Sequence, residues 1–171
     1  MGETTGQILP EPWLRGTLTD VNPVLRAVLH ALELAHEDLW KWCYPLTMEQ
    51  LNRPAGKAAS VGSHLRHIAR SLDRLLTYAE NEQLDETQMT ALRGEMDAAS
   101  SHEEVFQELA AALERSKERL LALQDANLWA TRAVGKKRLP TTVAGLVVHI
   151  ADHTQRHVGQ AITTARIITQ R

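Results

Sequence analysis

Three histidines in the stretch HIADHTQRHVGQ, residues 149 to 160, recur at every fourth position. On a helix, residues four apart stack on one face with Cβ atoms about 5–6 Å apart. Two imidazoles so placed can converge on one divalent ion at metal–nitrogen distances of about 2.0–2.1 Å. His149 with His153, and His153 with His157, both meet that spacing. All three cannot share one ion equally, because the span from first to last covers roughly 12 Å of helix axis. Projected at about 100° per residue, the apolar direction set by Val143, Val147, Ile150, Val158 and Ala165 falls nearest His157 and then His153. His149 points furthest from it, so the expected pair is His153 with His157.

A metal site that does chemistry wants a third protein ligand and one open position. A second stretch, SVGSHLRHIARSLDRLL at residues 60 to 76, offers His64 and His67. Periodicity alone puts His64 closer to the apolar stripe and His67 near its edge. Competing patterns fail. A zincin needs Glu directly after the first histidine, but Thr154 follows His153 and Ile150 follows His149. A ferritin-like di-metal site needs two Glu-x-x-His motifs, and only Glu33 to His36 has that form. His36 faces the core side of its helix and reads as a packed histidine, with lining a cavity as the alternative. Phosphate-binding loops and nucleophile elbows are absent. Cys43, the single cysteine, lies between Trp42 and Tyr44. It reads as a small buried residue, and no intramolecular disulfide can form.

The elements that must carry these histidines are helical. Asn22-Pro23 is a helix start, after which Leu25, Val28, Leu32, Ala35, Leu39 and Trp42 recur at threes and fours, predicting a helix over 22–43. The chain then turns through Pro45 and Pro54. A second helix is expected over 59–80 on Val61, Leu65, Ile68, Leu72, Leu75 and Leu76. The polar stretch 81–100 holds at most a short helical piece. Ser101-His-Glu-Glu104 is a capping box that opens a third helix to about 124. A loop containing Trp129 and the basic run Gly135 to Arg138, a solvated turn, leads to Pro140. The fourth helix starts near Thr141 or Thr142 and runs to about 168. No strand run and no repeat of fixed period is visible. The expected fold is all-α, a four-helix bundle with long connections between helices. An N-terminal tail over 1–20, lying on the surface, precedes one domain over 21–171.

The 171 residues can bury a sizeable core. With 19 basic against 21 acidic residues, the net charge of −2 argues against a nucleic-acid binder. No apolar run can span a membrane, and the first residues lack the form of a secretory signal. A soluble cytoplasmic protein is expected.

The two histidine stretches, in this order and on these helices, resemble the DinB/YfiT-like superfamily of bacterial four-helix-bundle metalloproteins. The likeness covers about residues 22 to 168 and implies a ligand from each of three motif positions. His67, in His67-Ile68-Ala69, is the first; His153 is the second; His157, followed by Val158-Gly159-Gln160, is the third. This overrides the periodicity that favours His64, and a site at the edge of the bundle rather than on its axis reconciles the two. His64 and His149 then neighbour the site. Gly159 suggests a close approach beside His157, since glycine within a helix costs about 1 kcal/mol against alanine. Gln160 could hydrogen-bond near the site, and Asp152 could orient an imidazole.

Three imidazoles and an open position suit zinc by ligand type, with nickel, iron and manganese as alternatives. The open position takes water or the oxygen or sulfur of a substrate. The resemblance implies thiol-dependent transferase or isomerase chemistry. In it the metal activates the thiolate of a low-molecular-weight thiol such as bacillithiol or mycothiol. The expected activity is therefore a metal-dependent S-transferase acting on a small electrophile. A hydrolase using metal-bound water and a non-enzymatic metal-binding bundle are the alternatives. The expected partners are small molecules, with neither nucleic acid nor membrane, and a homodimer through a helix face.

Overall fold

Each long helix starts on a side chain that satisfies one of its free N–H groups. The computed structural model describes residues 9–95, 97–99 and 101–170. Its helices are α1 (Pro23–Trp42), α2 (Met48–Asn52), α3 (Val61–Ala79), α4 (Glu86–Arg93), α5 (His102–Ala122) and α6 (Val143–Thr169). Asn22 Oδ1 accepts from the Val24 N–H at 3.0 Å, with Pro23 in the first turn. Ser60, Ser101 and Thr142 hydroxyls accept from the Ser63, Glu104 and Gly145 N–H groups. Such caps contribute roughly 1 kcal/mol each.

The apolar stripes meet in one core. Leu25 and Leu39 of α1, Leu65, Ile68, Leu72 and Leu76 of α3, Leu109 and Leu120 of α5 and Ile150 of α6 are fully buried. The expected stripe members Trp42 and Leu75 are only partly buried against it. α3 packs on both α5 and α6, α1 packs mainly on α6, and α1 meets α5 more thinly. The helical layout thus follows the four periodic segments, and the fold is an all-α bundle. No helix among the described residues is long and apolar enough to cross a membrane.

The connections hold more structure than the periodicity implies. Thr47 opens α2 and Asp85 opens α4, each through a reciprocal capping box. The expected absence of strands needs correction. β1 (Thr131–Val134) pairs antiparallel with β2 (Leu139–Thr142), Val134 opposite Leu139. The basic run is the hairpin loop, turned by left-handed Gly135 (φ 68°) and Arg138 (φ 47°). Two four-residue strands, the second containing Pro140, are too short to leave an alternating pattern in the sequence.

Of the expected N-terminal tail, residues 1–8 lie outside the described residues. Residues 9–20 include a single 3₁₀ turn, Pro12–Leu14, and are held against α1. Arg15 donates to Glu33 at 2.9 Å and to both Glu37 oxygens at 2.6 and 2.9 Å. Buried His30 shares a 3.1 Å hydrogen bond with Thr17.

Candidate metal centre

The packing of α3 on α6 brings His67 against the His153–His157 pair at the edge of the bundle. One ring nitrogen from each of the three lies within 4.8 Å of the others, and all three residues are partly buried. His67 Nε2 lies 3.2 Å from His153 Nε2. Two nitrogens bound tetrahedrally at about 2.0–2.1 Å would stand roughly 3.3–3.4 Å apart. The observed spacing therefore fits a shared ion.

The groups behind each ring decide where its lone pairs point. His67 Nδ1 donates to Glu95 Oε2 at 2.8 Å, because a carboxylate facing a guanidinium can only accept. In the neutral ring, the form that binds a metal, this leaves Nε2 with a lone pair. Behind His153, the Ser71 hydroxyl donates to the Ile68 carbonyl at 3.1 Å, which turns its own lone pairs toward His153 Nδ1, 3.5 Å away. His157 Nδ1 lies 3.1 Å from His64 Nδ1, so Nε2 is the nitrogen left for an ion. When both rings are neutral with Nδ1–H, the two Nε2 lone pairs face each other 3.2 Å apart, an arrangement that a cation satisfies.

The electrostatics agree. His153 and His157 are both lowered to about 4, first by burial and then by the neighbouring His67. His64 is lowered by burial and by His67. Imidazoles that stay neutral are the ones that can bind metal. Burial alone would raise the Glu95 carboxyl, but hydrogen bonds from His67 and Arg74 and the Arg74 charge outweigh it and hold it below the usual carboxylate range.

Each remaining expectation can be placed. His64 is buried, as its periodicity indicates, and stands behind His157 rather than in the three-nitrogen group. His149 is half exposed, its ring centroid 5.3 Å from that of His153. Asp152 does not orient any of the three rings. It pairs with Arg156 at 2.8 Å and sits 3.7 Å from His149. Gln160 is exposed. The expected close approach at Gly159 is absent, since a Cβ there would meet nothing within 4 Å. His36 is exposed rather than packed in the core; it stacks on Trp40 at 4.1 Å and lines a cavity of about 680 Å³ between α1 and α5, with Leu29, Leu32 and Leu113. Glu33 pairs with Arg15, away from any metal group. Cys43 is fully buried, and its thiol is pushed up to about 12 by burial and then by Asp38.

Glu95, Arg74 and Ser71 escaped the sequence reading. Glu95 stands in the polar stretch after α4, 28 residues from His67, and no periodicity relates positions on separate elements. The only signal was a carboxylate within a segment that the chain must fold back over α3.

A family model described as the DinB superfamily matches residues 31–161, a span containing all three histidines. No curated protein matches the chain.

Proposed function

The chain belongs to the DinB superfamily, and from that premise we propose that it is a metal-dependent S-transferase. In this reading His67, His153 and His157 hold a divalent ion, zinc by ligand type. A small external thiol is the nucleophile, and a small electrophile is its target. The observation that carries the metal reading is the pair of Nε2 atoms 3.2 Å apart, each backed by an acceptor at Nδ1.

When bound, the ion supplies Lewis acidity at a position left open by three neutral ligands, lowering the cost of ionising a thiol. The chain's own groups do the rest. Glu95, Ser71 and His64 stand behind the three rings, on the side away from the ion. The nucleophile has to come from outside, because Cys43 is buried and its thiol stays protonated at neutral pH.

The test is metal analysis of the purified protein, followed by assay of electrophilic substrates with added small thiols. Stoichiometric metal with turnover that requires a thiol supports the proposal. Ester or amide cleavage without thiol would replace it with a hydrolase. Metal whose removal unfolds the protein, with no turnover, would make the site structural.

A further inference from the structure

The end of α4 and the described residues of the connection that follows it are held against α3 and α2. Arg70 Nη1 donates to the Ala91 carbonyl at 2.8 Å, and Arg66 Nη1 donates to the Asp97 carbonyl at 2.8 Å. Asn52 bonds both the N–H and the carbonyl of Ala99, each at 3.0 Å. Gly94 sits inside these ties, where an added Cβ would come within 3.1 Å of Asp97 Oδ2. Glu95 is the side chain that this strap delivers inward, and it is 6% exposed.

Both of its oxygens are used. Oε1 receives Arg74 Nη1, and Oε2 stands 2.8 Å from His67 Nδ1. The two nitrogens of an imidazole point away from each other, so a carboxylate on Nδ1 cannot reach an ion on Nε2. Glu95 is accordingly outside the three-nitrogen group. A carboxylate with a fixed guanidinium behind it neither rotates freely nor changes partner, which makes it suited to hold one ring in one orientation.

We propose that Glu95, anchored by Arg74 and delivered by the α4–α5 strap, is a positioning residue that locks His67 in its Nδ1–H tautomer with Nε2 aimed at His153 and His157. Its consequence for metal affinity rests on the metal-site reading above, whereas the tautomer lock does not. The strap is thus part of the site, although it supplies no ligand. Its path also explains why an acidic residue is kept almost wholly buried beside the histidines at the bundle edge.

Glu95→Gln tests this, with circular dichroism to confirm folding. Two readouts are needed: the ¹⁵N shifts of the His67 ring in the metal-free protein, and zinc affinity by competition with a chromophoric chelator. Wild-type protein is expected to show the Nδ1–H form. The variant is expected to show a mixture of tautomers and zinc affinity lower by about 10–100-fold. A variant that keeps the Nδ1–H form and binds zinc within about threefold of wild type would overturn the proposal. If wild-type protein binds no zinc, the metal reading fails and the tautomer comparison alone decides the role of Glu95. Should Glu95→Gln not fold, Glu95→Asp keeps the charge facing Arg74 but withdraws it from His67, and the same readouts apply.

Discussion

His64 Nδ1 lies 3.1 Å from His157 Nδ1, joining α3 to α6 directly behind the three-nitrogen group. This contact explains why periodicity points His64 at the core while the group itself uses His67. The inner histidine supports a ring, and the outer one shares its nitrogen with the cleft. Three rings therefore have three different partners: Glu95 for His67, Ser71 for His153 and His64 for His157.

Substitution of the histidines should separate ligands from supports. His67→Ala, His153→Ala and His157→Ala are each expected to abolish stoichiometric metal. His149→Ala should leave it unchanged, since that ring is half exposed at the rim. His64→Ala should still bind metal but with affinity weakened about tenfold, the lower end of the range for loss of a ring's partner. Elemental analysis and chelator competition on the five variants measure this. Loss of metal in the His64 variant together with retention in the His67 variant would reverse the assignment.

The metal-free protein should lose stability on acidification through a defined window. A histidine titrates near 6.5 when unperturbed, and His153 and His157 are both lowered to about 4 by burial and neighbouring charge. Between those values the unfolded chain takes up protons that the folded chain refuses, so stability is full above about 6.5 and declines as pH falls toward 4. Thermal melts of chelator-treated protein from pH 7.5 to 4, compared with a His153→Gln/His157→Gln double variant, report it. An equal pH dependence in both proteins would show that other groups cause the decline.

Gly159→Ala should stabilise the protein. The residue lies inside α6, exposed, with nothing within 4 Å of an added Cβ. Alanine there is expected to add about 0.5–1 kcal/mol, through helix propensity and a less flexible unfolded chain. Differential scanning calorimetry should show a melting temperature higher by about 2–4 °C per kcal/mol for a chain of this size. Metal stoichiometry should not change. A lower melting temperature would indicate that this face of α6 is covered in the folded state in solution.

Cys43 should resist alkylation in the native protein. It is fully buried at the end of α1, with its thiol pushed up to about 12. Native labelling by iodoacetamide at pH 8 is expected to be negligible over hours, and one equivalent should react in denaturant. Rapid native labelling would reopen an internal thiol as the nucleophile.

Much of the helical scaffold was legible because its determinants are local. Asn22, Ser60, Ser101 and Thr142 cap the helices from their own chain neighbours. The three- and four-residue spacing of Leu25 to Leu39, or of Leu65 to Leu76, requires nothing beyond helix geometry to become a face. The hairpin escaped because Thr131–Val134 and Leu139–Thr142 are too short for alternation to register. Gly159 misled because a helical glycine can mark tight packing, and only the neighbours of α6 reveal that it faces open space.

The site divides along the same line. Residues 149 to 160 alone set His153 and His157 on one face, since a helix places positions four apart together wherever it packs. Which of His64 and His67 joins them depends on how α3 rotates against α6. Which carboxylate stands behind His67 depends on how Glu95, after α4, is brought over α3. Periodicity governs relations within one helix, but the angle between two helices and the course of a loop come from packing across the whole core. The family resemblance names His67 against the periodicity that favours His64. It is the packing of α3 on α6, however, that sets the His67 nitrogen beside the pair and Glu95 behind it, while the helix itself had already paired the other two.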